Sequence, residues 1–421
     1  MNTLRSLHHD AKLLMASRGI RAFAFSYLNV VFAIYLSNLG YSTVTIGIVF
    51  TVAYLSGALL TAVWGYLSDR YGRRKILMLL AVLTIASNAI YIFFSSLIFI
   101  FLAVIVANVG AGGSGGGGSG GGPFNPVEEA LLAEKCIPED RNQIYALNFC
   151  AGSIMGSLGA LVSGLPQYLQ ESWGWNAVAS YKPLFGLTIL FSIVLLFVYG
   201  SITEEHQPRH IERKISTATG SFVTKMSLLA VVDNFGAGMA GALVPYWFYL
   251  RFGVELKSLG VIFFASYFLA ALSFLSAPIV ARRLGVVRTM AFSHALASLL
   301  YLTLPLAPTL ALGASLLIVR SFFAYMDNPL RASFIMAMVK SSERGSAAGV
   351  TSLARIVPFG ISPTISTYLM QTVSLTLPLF IGGGLQLIND VAFFLMFRHV
   401  RPPEERAARG RKSPIIEELS G

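Results

Sequence analysis

An all-α integral membrane protein, with twelve transmembrane helices in two pseudo-symmetric six-helix halves, is the fold class that three features of this chain predict. Its residues are 55% hydrophobic and only 12% charged, where an average soluble domain carries roughly 25% charged residues. Its mean hydropathy of +0.67 comes from apolar runs long enough to cross a bilayer, which takes about 20 residues each. Its two halves also repeat the same glycine, proline and charge pattern at a nearly constant offset.

In chain order, twelve apolar runs fall near residues 20–39, 44–66, 76–95, 97–118, 143–169 and 183–202, then 224–250, 257–281, 287–306, 309–331, 346–370 and 375–397. The first twenty residues are too polar for a cleavable leader, so the first run is expected to direct insertion. The fourth run ends in Gly110–Gly122, ten glycines in thirteen positions. A phosphate loop there would need a following Gly-Lys-Ser/Thr, which is missing. A flexible glycine–serine spacer is the other alternative, but the apolar stretch from Leu97 to Gly110 is too short to span alone. The tract is therefore expected to complete the fourth helix, packing closely or bending where it leaves the bilayer. Residues 203–223 are polar and charged and read as a linker. This divides the chain into a first half over 1–202, the linker over 203–223, a second half over 224–400 and a tail over 401–421.

Charge sets the orientation. A net charge of +11 in a soluble protein would suggest nucleic acid, but here Lys and Arg fall at helix ends, so no nucleic-acid partner is expected. Loops 170–182 and 251–257 hold only Lys182, Arg251 and Lys257, and those near 40–43, 95–97, 305–308 and 371–376 hold neither Lys nor Arg. The positive-inside rule places the other loops, the linker and both termini in the cytoplasm, as expected for a multi-pass protein of the cell membrane. Two cysteines and six histidines show no metal-ligand spacing, so neither metal nor cofactor is expected.

The densest charge lies in Gly65-Tyr-Leu-Ser-Asp69-Arg70-Tyr-Gly72-Arg73-Arg74-Lys75, read as a tight hairpin between helices 2 and 3 with a bend at each glycine. A degenerate copy, Arg282-Arg283-Leu-Gly285-Val-Val-Arg288, stands 213 residues further on, and Gly40 and Gly47 have counterparts Gly253 and Gly260 at the same offset. Asn125-Pro126 and Asp140-Arg141 match Asn328-Pro329 and Glu343-Arg344 at an offset of 203. Duplication of a six-helix unit accounts for the pattern, and binding sites near the midplane between such repeats belong to secondary transporters.

The hairpin, its copy and the six-plus-six layout resemble the Major Facilitator Superfamily over residues 15–400. The resemblance implies alternating access and a conformational gate formed by Gly65, Asp69, Arg70, Gly72, Arg73 and Arg74. In it, Asp69 would cap the helix that starts near Gly345, where the helix dipole favours a carboxylate. Two departures speak against a drug/proton exporter. Gly152, Gly156 and Gly159 match only part of the family's helix 5 antiporter signature, and helix 4 lacks the family's usual Arg.

Ionisable groups at bilayer depth cost roughly 2.5–3.5 kcal/mol each, so each needs a partner or a function. Asp233 (with Asn234 beside it), Arg320, Asp327, Arg355 and Asp390 all lie in second-half spans, whereas the first half offers only the amides Asn29, Asn88, Asn108 and Asn148. The polar work is therefore expected to be asymmetric. Arg320 and Arg355 would be cavity cations for an anionic substrate. Asp233, Asp327 or Asp390 would be a proton site, with Asn29, Asn108 and Asn234 as further contacts. About 10 Å of helical rise separates Arg320 from Asp327 on one helix face, so an Asp on another helix is the expected partner of Arg320. The alternative is a structural ion-pair network joining helices 7, 10, 11 and 12, and Arg355 and Asp233 stay open between the two. The resemblance implies that helix 10 lines the cavity, favouring function for Arg320, and that helix 12 lies outside it, making Asp390 structural. Pro245-Tyr-Trp-Phe-Tyr249 is expected in an interfacial aromatic belt.

The resulting expectation is a secondary active transporter of a small organic solute, proton-coupled and selective for anions, working as a monomer. A multidrug/proton exporter and a non-transporting membrane sensor are the alternatives. An enzyme is not expected, because no nucleophile, base and orienting group come together in the sequence.

Overall fold

The computed structural model describes residues 9–107, 122–135, 141–204, 217–239, 241, 243–339 and 344–400. The first-half helices are α1 (His9–Asn38), α2 (Thr43–Tyr71), α3 (Arg73–Phe93), α4 (Leu97–Ala107), α5 (Phe124–Glu134), α6 (Arg141–Leu161), α7 (Leu165–Trp173) and α8 (Lys182–Gly200). The second half contributes α9 (Thr217–Gly238), α10 (Val244–Phe252), α11 (Leu256–Leu284), α12 (Val286–Thr303), α13 (Leu310–Ala324), α14 (Asp327–Met338), α15 (Arg344–Thr372) and α16 (Leu377–Phe397). Eight helical stretches are long and apolar enough to cross a membrane. The other four predicted spans correspond to α4 with α5, α9 with α10, α13 with α14, and α15, an arrangement consistent with twelve crossings.

Several boundaries differ from expectation, among them the start of α9 at Thr217, inside the stretch read as linker, and its end at Gly238, before the expected span is complete. Helix α1 begins at His9 rather than near residue 20, which brings Arg18 and Arg21 inside a buried helix. Helix α2 continues through Gly65 and Asp69 to Tyr71, so Gly65 is not a bend. Gly72 alone makes the turn into α3, with φ of 99°, and Gly285, with φ of 88°, does the same between α11 and α12. In that left-handed region an L side chain meets the following carbonyl, which is why both copies of the hairpin keep glycine there. The tenth span breaks between Ala324 and Asp327, so Arg320 and Asp327 do not share one continuous helix face. The tract over 108–121, including Asn108, the linker core over 205–216 and the tail over 401–421 lie outside the described residues.

Helix α1 packs on α6 and α8, α3 on α8, α9 on α15 and α16, and α12 on α16. Glycines permit the closest of these approaches. Gly159, from the partial antiporter row, lies against the Phe23 backbone, and Gly236 and Gly382 face each other across α9 and α16. A Cβ at Gly236 would sit 2.7 Å from the Gly382 carbonyl oxygen, well inside any real contact. Without aqueous hydrophobic drive, such backbone proximity is what holds membrane helices together.

The two sets of six spans meet along α2–α15 and α6–α11. Among the described residues, the hydrogen bonds joining them cluster at the end opposite the charged hairpin. The Val44 amide donates to Gln371 Oε1 at 3.1 Å, and Thr51 Oγ1 lies 2.8 Å from Thr364 Oγ1. Gln167 donates to Glu255 at 2.8 Å and accepts from the Lys257 amide at 3.0 Å, while Lys257 pairs with Glu171. Tyr54 meets Phe359 edge to face, with ring centroids 4.9 Å apart. The stretch expected in an interfacial belt belongs to this closure instead: Tyr246, Trp247 and Phe248 are buried, and the Tyr246 hydroxyl lies 3.3 Å from Thr43 Oγ1. Closing one end withdraws these rings from the bilayer surface.

Gly72→Ala and Gly285→Ala are each expected to destabilise the fold by about 1–2 kcal/mol, the cost of a left-handed L residue. Gly65→Ala, with open space around it, is expected to leave stability unchanged or raise it by up to about 1 kcal/mol of helix propensity. Thermal unfolding of the three purified variants separates a one-glycine turn from a two-glycine turn.

Candidate functional site

Two buried polar clusters flank the interface between the halves. The first joins α1 to α5. Arg21 and Glu128 form a buried ion pair, and both terminal nitrogens of Arg21 lie 3.0 Å from Asn125 Oδ1. Ser17 and Tyr199 donate to Glu128 Oε1 at 2.9 and 2.5 Å. Arg18 pairs with Glu129 at 3.2 Å and lies over the Phe149 ring at 4.1 Å. Asp10 accepts from Thr203 at 2.6 Å and pairs with Lys135 at 2.9 Å. The expectation that the first half carries only amides is therefore wrong. Its charges escaped notice because α1 starts earlier than apolarity alone marks, and because Glu128 and Glu129 follow the glycine tract. A signal did exist: Glu128 stands two residues after Pro126, where the repeat has Arg331 two residues after Pro329.

The second cluster joins α9, α12, α14 and α16. Arg331 donates to Asp327 from Nε at 2.9 Å and from a terminal nitrogen at 2.8 Å. His294 Nδ1 lies 2.7 Å from Asp390 Oδ1, and Ser298 donates to Asp390 Oδ2 at 2.6 Å. On the other side of the ring, Nε2 lies 3.7 Å from Asp233 Oδ1, which has no hydrogen-bond partner among the described residues. All of these side chains are buried. The two clusters reverse each other's charge. The first half sets an Arg on its first helix against a Glu after the Asn-Pro step. The second sets Asp233 on α9 within charge–charge reach of Arg331 after the matching step. His294 and Ser298 were not singled out by sequence, because one His in an apolar span carries no motif.

Arg320 does not find the Asp expected for it. Its guanidinium stacks on the Tyr301 ring at 4.3 Å, and its Nε has no hydrogen-bond partner among the described residues. With the tenth span broken below it, no carboxylate is brought to its level, and a π face serves instead. Arg355 has no hydrogen-bonding partner among the described residues and is solvent-accessible. It nonetheless lies within charge–charge reach of Arg331, Asp327 and Asp233. It sits about one turn to the hairpin side of the Tyr54–Phe359 contact. Asn29 is half-buried, and Asn234 donates to its own helix at Ala230.

At the hairpin, Asp69 pairs with Arg73 at 3.3 Å within its own turn, and Arg70 lies over the Tyr71 ring. Residues 340–343, just before α15, lie outside the described residues, and among those that are described Asp69 makes no hydrogen bond or ion pair with the start of α15. Gly72 offers no side chain to cap α3, so Glu204 does so from beyond α8. Its two oxygens accept from the amides of Arg73 and Arg74 at 2.6 and 2.9 Å, the favoured place for a carboxylate. Arg73 also donates to the Ala130 carbonyl at 3.1 Å, and Arg74 to that of Gly200. In the second copy, Arg282, Arg283 and Arg288 are exposed.

A family model of the Major Facilitator Superfamily matches residues 14–323 and 226–420. The chain belongs to the Major Facilitator Superfamily. An uncharacterized membrane protein of Saccharomyces cerevisiae, YJR124C, is 23% identical over 92% of this chain and 94% of its own length. A bacterial homolog of the human lysosomal transporter Spinster, solved inward-facing and unoccupied, superposes with a TM-score of 0.69 at 14% identity, covering 96% of this chain and 98% of that one. The D-xylose–proton symporter gives 0.69 at 14% identity, covering 93% and 98%, and the nucleoside transporter NupG gives 0.67 at 15%, covering 91% and 100%. At such identity the likeness is one of fold. The fold of this MFS transporter is thus settled, and its solute is not chosen by it.

Removing one member of the first cluster leaves a buried charge unpaired, so Arg21→Met or Glu128→Met alone is expected to cost about 3–5 kcal/mol. The double replacement is expected to recover most of that loss, as measured by chemical unfolding in detergent.

Proposed function

We propose that this protein is a secondary active transporter that moves a small organic anion by alternating access, coupled to protons. It would work as a monomer in the cell membrane with both termini cytoplasmic. The observation that carries the reading is Arg355. It is a solvent-accessible guanidinium without a hydrogen-bonding partner among the described residues, set just below the contacts that seal one end of the interface between the halves. A cation held at membrane depth without a bonded carboxylate is a ready partner for an anion, since charge-assisted bonds to carboxylate or phosphate are the strong ones. Arg320, with its Nε unsatisfied, supplies a second donor at the level of the midplane. Asn29 on α1 and Asn234 on α9 offer polar contacts from either half, and Asp233 and Asp327 are the candidate proton carriers.

With positive loops inside, the sealed end is the outer one, as an inward-facing arrangement requires. In that state Asp69 pairs within its own hairpin. The opposite state would free it to cap α15, so that the hairpin residues Gly65, Asp69, Arg70, Gly72, Arg73 and Arg74 act as the gate between the two half-domains, 1–202 and 224–400. Alternating access needs such a switch, because closing one end must be offset by releasing the other.

Two measurements test this. A panel of organic anions screened by ligand-induced thermal shift should give binders whose stabilisation is lost in Arg355→Gln and reduced in Arg320→Gln. Preference for cationic amphiphiles would instead point to drug efflux. In proteoliposomes, Asp69→Asn should slow transport of such a binder several-fold with unfolding unchanged, and an imposed pH gradient should drive it. Transport indifferent to the gradient removes proton coupling.

A further inference from the structure

We infer that His294, held between Asp390 and Asp233, is the proton-binding group of this transporter, a refinement that rests on the proton-coupled reading above. Among the described residues, the first cluster pairs Arg18 with Glu129 and Arg21 with Glu128, two cations against two anions. The second differs. There, among the described residues, Asp233, Asp327 and Asp390 lie within charge–charge reach of Arg331, and Asp233 and Asp327 also of Arg355, three carboxyl groups against two guanidiniums. The sixth ionisable group of this set is His294, and a proton on it would offset the third carboxylate.

The geometry around the ring fits a proton that comes and goes. Nδ1 is fixed by Asp390, itself held by Ser298, so one nitrogen is tied at 2.7 Å whatever the charge. Nε2 points toward Asp233 Oδ1 at 3.7 Å, beyond hydrogen-bond distance, and that oxygen has no other partner among the described residues. A neutral ring that donates through Nδ1 turns a lone pair toward Asp233, whereas the imidazolium donates to both carboxylates. The remaining neighbours complete the balance. On α14, Asp327 lies within charge–charge reach of the ring and accepts through Oδ2 from two Arg331 nitrogens. On α15, Arg355 offsets Asp327 and Asp233. On α13, Arg320 stacks on the Tyr301 ring, and on α11 the described cations Arg282 and Arg283 are exposed at its hairpin end.

The same charges connect the proton to the solute. An anion bound at Arg355 removes the charge that offsets Asp233 and Asp327, which favours a proton on His294. By linkage, the proton favours the anion to the same degree. His294 lies about two and a half turns from the Gly285 turn, on the side away from the sealed end. A change of charge there acts on α9, α12, α14 and α16 together, and α9 packs on α15, which meets the first half along α2.

The test reads conformation against pH without any solute. Spin labels at Tyr71 and Leu284, both exposed at the hairpin end of either half, report the gap between the halves in the full chain, with Cys136 and Cys150 replaced by Ser, in lipid nanodiscs. Between about pH 5 and 9, the range in which a histidine titrates, the unmodified site should show a pH-dependent distance distribution. His294→Gln should abolish that dependence, and Asp233→Asn should move its midpoint to lower pH by about one unit. A folded His294→Gln protein with an unchanged midpoint overturns the assignment and leaves proton coupling standing. Should His294→Gln fail to fold, an unchanged midpoint in Asp233→Asn overturns it equally. A distribution independent of pH in the unmodified protein overturns proton coupling itself, and this inference with it.

Discussion

A guanidinium buried in a membrane bundle has no water to fall back on, and that constraint organises both halves of this protein. Arg21 is fully enclosed, and among the described residues Glu128, Asn125 and the Phe124 ring surround it. Those partners come from α5, the short helix that follows the glycine tract, so α5 must be drawn against α1 at one fixed register. Helix α8 is tied in through Tyr199, whose hydroxyl ends on the same carboxylate. One ion pair thereby fixes three helices. The desolvation cost of such a pair argues against its being a source of net stability, and in favour of its specifying register.

The second half solves the same problem with the charges exchanged, and with one carboxylate too many. Asp327 and Arg331 close on each other along α14, which leaves Asp233 and Asp390 to share a histidine across three helices. A cluster in which a proton on His294 would offset the third carboxylate differs in kind from one whose described charges pair two against two. Functional asymmetry between the halves survives, but its origin changes. Both halves hold buried charge, and only one holds charge whose balance can vary.

Packing and gating follow from backbone proximity as much as from charge. The Gly236–Gly382 and Gly159–Phe23 approaches leave no room for side chains, so these helix pairs pack backbone against backbone. The hairpin is fastened at its base by Glu204, which caps α3 where Gly72 cannot. Thr203 and Glu204 therefore belong to the folded first half in a structural sense, although they open a polar stretch. A single glycine turn, a carboxylate cap from Glu204 just beyond α8 and an aspartate pairing within its own hairpin give a compact charged corner.

Much was legible from sequence because it depends on local rules. Apolar runs must be helical in lipid, since each backbone group has to be satisfied within its own segment, and loop charge orients them. The repeat at 213 reappears as paired left-handed glycines at Gly40 and Gly253 and at Gly72 and Gly285, since only a residue without Cβ enters that conformation freely. What sequence could not decide was which polar side chains meet. Arg320 was matched to a carboxylate and found Tyr301. Arg18, Arg21 and Glu128 looked like flanking charges and proved buried, and His294 looked solitary and joins two aspartates. Tyr246 and Trp247 looked interfacial and lie within a closed seam. The number of apolar runs and the placement of glycine turns are properties of segments one to twenty residues long. Partnership between charges depends on helix rotation and register across spans far apart in the chain, which only the tertiary structure sets.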